Sequence, residues 1–278
     1  NRPIGANGSG SLAATGGIQI KIDGGNFALG GVFGDTVSVR TPQLAFAWNG
    51  SSKFPPMIVG GTSVEVMADA INFAAGSTSQ RGMIEAGGYG TPGLVRIGPM
   101  TDGLAVSISK DTASAAHSTP SCAPSASCLL LSGQELASQI TADKLVIGNS
   151  DSAHLGDPTS SGITVSDNVD RSGGLLMFDT LGALKGLGNI AADTLVVRAE
   201  NAAGSFDDSG NASKPLSTSV GMLAAQMIGT GPAALSVSNS EPSGYLKVGS
   251  PTVGQETFAG IGRNGPAAMN VSIVDKGT

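Results

Sequence analysis

The sequence is short of the residue types that form most soluble surfaces and most active sites. Only 13% of its 278 residues are charged and 4% are aromatic, and it contains two histidines and two cysteines. An ordinary soluble domain carries about twice that share of charge. Because histidine and cysteine are so scarce, no metal centre and no cofactor are expected.

Clusters of basic residues are also missing. The formal net charge is −6 and the isoelectric point is near 4.8. Nucleic acids and anionic membranes bind clustered lysine and arginine side chains, so neither is expected as a partner. No apolar run reaches the roughly 18 residues of a membrane-spanning segment, so membrane insertion is not expected. No signal peptide is recognisable, and we interpret the chain as a segment of a longer protein.

Glycine and small polar residues take the place of charge and bulk. There are 42 glycines, and 40% of the residues are hydrophobic. Apolar residues alternate in short runs such as 18–22 and 37–39, and Gly, Asn, Asp, Ser or Pro bounds each run. Alternation places one face of a strand inward, and the flanking residues favour turns. The sequence therefore predicts an all-β chain of short strands.

One apolar pattern occurs four times. Its copies share apolar residues at the first, sixth and eighth positions, and they are Val39–Phe46, Val66–Phe73, Ile140–Ile147 and Ile190–Val197. The steps between copies are close to one, three and two multiples of about 25 residues. Three copies carry Ala-Asp at the same place, at Asp69, Asp143 and Asp193. Because this position repeats, we predict that these aspartates cap corners by accepting backbone N–H bonds.

Further strands are expected between these copies, at 104–108, 163–165 and 173–178. A second repeat begins at Gly231 and returns at Gly265. Strands this short cannot bury an apolar face alone, whereas stacked coils bury a continuous column. The repeats thus predict a single β-solenoid over residues 1–278, with coils of about 25 residues and on the order of eleven coils.

Two segments fit a helix as well as a strand. In 63–73 and in 219–228 the apolar residues follow a helical spacing. We favour strands, because 63–73 contains the four-copy pattern and both segments are shorter than a typical helix.

The cysteines lie beside a stretch rich in Ser, Ala, Thr and Pro. This stretch, residues 111–127, is predicted to be a projecting loop or linker. Cys122 and Cys128 are close in sequence, and we expect a local disulfide between them if the protein is extracellular. Two reduced cysteines in a cytosolic loop are the alternative.

The C-terminal half resembles a known family of repetitive proteins. The segments Gly188–Asn201, Leu216–Gln226 and Ala234–Asn239 look like the repeats of filamentous-haemagglutinin-like exoproteins, the cargo of two-partner secretion systems. The resemblance covers about residues 129–278. It implies a right-handed parallel β-helix, export through an outer-membrane partner, and roles in adhesion, biofilm formation or competition between cells. The Asn-rich secretion signature of the family is absent, and the cysteine pair departs from the family's pattern.

We therefore expect a non-enzymatic structural segment of a bacterial surface adhesin, located outside the cell. The expected partners are further copies in a fibre, a host or neighbouring-cell surface, or a polysaccharide matrix. The alternative is a β-helical carbohydrate-active enzyme or a carbohydrate-binding module. Its candidate acids are Asp167 with Asp170 and Asp207 with Asp208, and its candidate sugar-stacking aromatics are Trp48, Phe54 and Tyr89. Both acid pairs lie beside turn-forming residues, which favours a role in turns over catalysis.

Overall fold

A computed structural model of the chain describes residues 11–22, 26–29, 31–46, 55–73, 81–88, 92–110, 128–150, 158–200, 202–206, 212–241, 244–264 and 266–276. Within these ranges nearly all regular structure is β-strand, and the all-β prediction is confirmed. No helix in the described ranges is long and apolar enough to cross a membrane.

The strands of the first half and the one short helix have these bounds: β1 Ser11–Ala13, β2 Ile18–Lys21, β3 Asn26–Leu29, β4 Gly31–Arg40, β5 Gln43–Phe46, β6 Met57–Met67, β7 Ala70–Asn72, β8 Met83–Ala86, β9 Leu94–Gly98, β10 Leu104–Ser109, β11 Cys128–Ser132, α1 Gly133–Ser138, β12 Ile140–Thr141 and β13 Lys144–Asn149. The strands of the second half have these bounds: β14 Ser160–Val165, β15 Val169–Thr180, β16 Ala183–Gly186, β17 Asn189–Ala199, β18 Ala202–Ala203, β19 Ser205–Phe206, β20 Ala212–Lys214, β21 Leu216–Met227, β22 Ala233–Asn239, β23 Lys247–Val248, β24 Thr252–Val253, β25 Glu256–Thr257, β26 Ile261–Arg263 and β27 Met269–Asp275.

Most strands belong to one large sheet whose pairings are parallel. The longest series of pairings, here called the long ladder, has nine positions: β2, β4, β6, β9, β13, β15, β17 and β21, with β23 and β26 sharing the last. A second series joins the first halves of β4 and β6 to β1, β8 and β12. A third joins β11, β10, β14, β16, β18, β22 and β27. The strands β3, β5 and β7 form a separate parallel sheet.

The long ladder aligns similar side chains in register. One column of paired and buried residues is Ile18, Val37, Val64, Val95, Leu145, Leu176, Leu195 and Leu223. The next inward column is Ile20, Val39, Val66, Ile97, Ile147, Phe178, Val197 and Ala225. All of these residues belong to one core cluster. Because each large side chain contributes roughly 1.5–3 kcal/mol on burial, the stacked columns supply much of the stability.

Several strand predictions are confirmed. The segment 63–73 lies in β6 and β7, and 219–228 lies mainly in β21, so both ambiguous segments are extended. The three expected intermediate strands are present as β10, β14 and β15. Tertiary pairing with neighbouring strands thus overrides the helical spacing of the apolar residues.

The spacing between paired residues is less regular than predicted. Along the long ladder, Ile18 pairs with Val37 whereas Val95 pairs with Leu145, so the length of chain between partners varies more than twofold. The four copies of the apolar pattern also fall at two different corners. In the first two the sixth residue lies in β5 or β7, and in the last two it lies in the long ladder. The prediction that all four copies mark one position is wrong, because strand pairing does not restrain the length of the connecting turns.

The C-terminal repeat pairs in a shifted register. The sequence repeat aligns Leu235 with Met269, but the structure pairs Leu235 with Val271 and Ala233 with Met269. A shift of two positions keeps every side chain on the same face of the strand, so the alternation is preserved. The predicted repeat is therefore real, and its predicted alignment is off by two positions.

Along the third series, the order of strands in the sheet departs once from their order in the chain. β11 follows β10 in the chain, yet it lies between β7 and β10. The helix α1 comes next and was not predicted. It begins with a capping box: the Ser132 hydroxyl accepts the Glu135 N–H at 3.1 Å, and the Glu135 carboxylate accepts the Ser132 N–H at 3.0 Å. The Ser-x-x-Glu spacing is the sequence signal for this helix start.

The predicted disulfide lies at the edge of the described ranges. Cys128 is the buried first residue of β11. Cys122 and the predicted loop 111–127 lie outside the described residues. The Cys122–Cys128 bond stays a prediction.

Candidate functional site

The three recurring aspartates cap corners, as predicted. The Asp69 carboxylate accepts the N–H groups of Met100 at 2.9 Å and Thr101 at 2.7 Å, and the Thr101 hydroxyl at 2.6 Å. Asp143 accepts the Gly93 N–H at 2.8 Å, and Asp193 accepts the Gly173 N–H at 3.0 Å. Each bond joins two turns that are far apart in sequence, so these carboxylates hold neighbouring turns together.

We expect Asp69→Ala to lower the free energy of unfolding by about 2 kcal/mol, because it leaves two backbone N–H groups without their charged acceptor. The matched control is Asp143→Ala, because the Asp143 carboxylate accepts one N–H at an exposed corner. This variant should lower the free energy of unfolding by about half as much. Urea unfolding of both variants checks this. Equal losses in the two variants would contradict the idea that the number of accepted bonds sets the cost.

The carboxylates of the candidate acid pair, Asp167 and Asp170, accept hydrogen bonds from different parts of the chain. Asp167 accepts the Gly133 N–H at 3.3 Å, while Asp170 accepts the Ser172 hydroxyl at 2.6 Å and the Ser172 N–H at 3.0 Å. The bonds from Ser172 hold the pKa of Asp170 below its usual range. A general acid needs a raised pKa, so Asp170 is unsuited to protonate a leaving group. Asp207 and Asp208 lie outside the described residues.

Asp170 borders a cleft of about 450 Å³ between β15 and the end of α1. The neighbouring Arg171 guanidinium donates to the carbonyl oxygens of Leu136 at 3.3 Å, Ile140 at 2.8 Å and Ala142 at 2.5 Å. Burial lowers the pKa of Arg171, and Asp170 opposes that shift. Among the described residues that line this cleft, Asp170 is the only carboxylate. Glycoside hydrolysis uses two carboxylates, and these lining residues supply one.

The most unusual arrangement lies on the outer face of the long ladder, where β24 and β25 form an antiparallel hairpin. Outward side chains of β13, β15, β17 and β21 are buried there against Val253 and Phe258, and they are Val146, Met177, Val196 and Ala224. Residues 252–258, here called the hairpin segment, comprise the hairpin and Phe258. This segment covers an apolar row on the outside of the sheet. This second core is separate from the inward columns.

Beside this row lies a charge cluster, formed by Arg96, Asp179, Arg198 and Glu256. The Asp179 carboxylate lies 3.4 Å from the Arg198 guanidinium and 3.6 Å from that of Arg96. Arg198 also forms an ion pair with Glu256, and its guanidinium lies 4.8 Å from the centre of the Phe258 ring. Asp179 and Arg198 are fully buried. The hairpin segment supplies both Glu256 and Phe258, so it closes the charge cluster from outside.

A glycine lies beside this charge cluster. Gly148 of β13 pairs with Asp179 of β15, and it has a φ of +88°. A Cβ at this position would collide with the Asp179 carbonyl oxygen and crowd Ser160. The missing side chain therefore lets β13 and β15 pair closely at this position. Any larger residue at 148 would be strained by both its φ and its neighbours.

Comparison with protein-family models, with curated proteins and with solved structures found no match. Function is therefore inferred from the geometry of the described residues.

The charge cluster fits a structural role better than a chemical one. Within the charge cluster two guanidinium groups face two carboxylates, so these four charges balance one another. The ranges that the structure describes contain no group of three or more His, Cys, Asp or Glu side chains placed to hold a metal. A buried ion-pair group of this kind favours one arrangement of the hairpin over others, because any other arrangement leaves a charge unpaired.

Sequence reasoning did not find the charge cluster. Its signal is weak but present: Asp179 directly follows the apolar run 175–178, and Arg198 lies within the otherwise apolar run 195–199. A charged residue within such a run predicts a buried partner. Trp48, Phe54 and Tyr89, the aromatics proposed from sequence for sugar stacking, lie outside the described residues.

Proposed function

We propose that this chain is a structural rod segment of an exported bacterial surface protein, built as a right-handed parallel β-helix. The observation that carries the proposal is the in-register parallel pairing of the long ladder over nine positions. The chain also passes through β4, β5, β6 and β7 by alternating between the large sheet and the small one. Successive coils that return to the same ladder support a closed solenoid.

The proposed mechanism is mechanical. Backbone hydrogen bonds between coils run along the rod axis, and the inward columns bury a continuous apolar core beneath them. A tensile force along the axis is then shared at each interface between coils by many hydrogen bonds. The low share of charged residues, 13%, leaves little repulsion between rods and favours lateral or end-to-end association into fibres.

The resemblance of residues 129–278 to filamentous-haemagglutinin-like repeats supports the proposed location at the bacterial surface. The proposed partners are further copies of the chain, a host or neighbouring-cell surface, or a polysaccharide matrix. Among its described lining residues the cleft at Asp170 offers no second acid, and this favours the structural role over the alternative of a carbohydrate-active enzyme.

Spin-label distances test the rod directly. Thr36, Thr194 and Lys247 occupy equivalent outward sites at the second, seventh and ninth positions of the long ladder. At about 4.8 Å per position, we expect backbone separations of about 24 Å for the pair 36/194 and about 34 Å for 36/247.

Negative-stain electron microscopy of the same protein should show short rods, or fibres if rods associate. Separations that fail to grow with ladder position, or compact round particles, would overturn the proposal. A matched control pair is Thr36 with Ser63, which are direct neighbours in the long ladder although they lie far apart in sequence. Their labels should remain within contact distance.

A further inference from the structure

A second cleft, of about 320 Å³, lies where the segment before β23 passes the outer corner of β17 and β21. Its lining consists of Asp193, Thr194, Gly221, Met222, Tyr245 and Lys247. It is separate from the charge cluster and from the cleft at Asp170. The rod architecture does not need it, and an inference about its ligand rests on the polysaccharide partner named in the proposed function.

Tyr245 is the most unusual residue of this cleft. Its side chain is 73% exposed, more than any other aromatic residue whose burial the structure describes. Aromatic residues make up only 4% of the chain, and the phenylalanines Phe46, Phe73 and Phe178 are fully buried. Tyr245 is therefore an exposed ring at the wall of a cleft, where its apolar face is accessible to a ligand.

Polar groups of both signs surround the ring. The Lys247 ammonium group lies 5.8 Å from the centre of the Tyr245 ring. The Asp193 carboxylate accepts the Gly173 N–H through one oxygen, and this bond fixes the carboxylate at the wall of the cleft. Among the described residues, no hydrogen bond involves the Tyr245 hydroxyl or the Lys247 ammonium group. These two groups are therefore available to a ligand beside an exposed ring.

A glycine keeps the floor of the cleft open. Gly221 lies within β21, and its φ does not require glycine. A Cβ there would meet only the Asp193 carbonyl oxygen, at 3.4 Å, an ordinary contact. The backbone thus tolerates a side chain at 221, and the absence of one leaves space beside the ring rather than relieving strain.

We propose that this cleft binds a segment of a neutral hexose polymer. A sugar ring has one apolar face of C–H groups and a rim of hydroxyls, so it can stack on Tyr245 while its hydroxyls bond Asp193 and Lys247. One carboxylate and one ammonium group leave no net charge, which disfavours polyanionic chains. Tyr245 and Lys247 are both exposed at the cleft, so the rest of a bound polymer can extend from it into solvent.

Affinity electrophoresis tests this proposal with three probes, each cast separately in a native gel: mannan, dextran and hydroxyethyl cellulose. We expect at least one of them to retard the intact chain. In that gel Tyr245→Ala should bind about fivefold more weakly or worse, because the stacking surface is lost, while Tyr245→Phe should keep most of the affinity. Gly221→Leu should abolish retardation by filling the cleft.

The matched control is Leu187→Ala, which removes an equally exposed apolar side chain, 74% exposed, away from the cleft. It should bind as the wild type does. Failure of all three probes to retard the wild type overturns the proposal, and so does equal retardation of the wild type and Tyr245→Ala. Should Gly221→Leu fail to fold, the exposed Tyr245 variants still decide the outcome. Particle shape in electron microscopy is unaffected by these substitutions, so this proposal and the rod proposal fail separately.

Discussion

The Asp179→Ala variant is expected to unfold about 3–5 kcal/mol more easily than the wild type. Its carboxylate lies between the Arg198 guanidinium at 3.4 Å and the Arg96 guanidinium at 3.6 Å, and it is fully buried. Without it, the fully buried Arg198 guanidinium keeps only Glu256 of the two carboxylates in the charge cluster, and Arg96 loses its ion pair with Asp179. The repulsion and desolvation of two buried like charges destabilise the fold by more than the apolar contacts of an alanine stabilise it. Urea unfolding followed by circular dichroism measures the change.

Two comparisons separate charge from packing. Glu256→Gln removes the second carboxylate of the charge cluster, but this side chain is 39% exposed, so its loss should cost clearly less. The double variant Asp179→Leu with Arg198→Met removes both members of the closest buried pair and should recover much of the stability, because apolar residues replace buried ion pairs well. If Asp179→Ala unfolds at the same urea midpoint as the wild type, the charge cluster does not form.

The Phe178→Ala variant is expected to lose about 3–5 kcal/mol of unfolding free energy. Phe178 is fully buried in an inward column of the long ladder, where it lies between Ile147 and Val197. Alanine at this place leaves a cavity between two stacked side chains, and the paired backbones hold those neighbours apart. The site therefore relaxes little, which places the loss at the upper end for such substitutions.

Phe33→Ala is the matched control, since Phe33 also lies on a strand but is 40% exposed. It removes the same atoms from a site that water already reaches, so its cost should remain below about 1 kcal/mol. Equal losses at 33 and 178 would mean that the inward column is not the core of the protein.

Much of the strand pattern could be predicted from the sequence. Alternating apolar residues located β10, β14 and β15, and the repeated Ala-Asp position located three corner caps. Both signals are local, because a strand needs only its own alternation, and a cap needs only a carboxylate at a turn.

The register could not be predicted in the same way. Leu235 pairs with Val271 and not with Met269, and nothing in the alternation separates the two alignments, since both place apolar residues inward. The number of residues between paired strand positions could not be predicted either. It depends on the lengths of the connecting turns and loops, which the apolar pattern does not determine.

The charge cluster and the cleft at Tyr245 could not be predicted from the sequence, for a related reason. Arg96, Asp179, Arg198 and Glu256 come from four separate strands. The register of the long ladder brings the first three together, and the packing of the hairpin onto its outer face adds Glu256. Tyr245 stands among polar residues with no repeat around it. Its exposure, not its sequence context, marks it as a candidate binding residue.

A chain that folds progressively from its N-terminus meets an obstacle at β10. Most coils can add in order, because each strand finds its partner already in place on the coil before it. The strand that separates β10 from β7 is β11, which comes later in the chain. The β7 side of β10 therefore stays unpaired until β11 has been added, although β13 and β14 find their partners β9 and β10 already in place. Addition of strands along the large sheet is sequential except at β11, which pairs back onto a strand that precedes it.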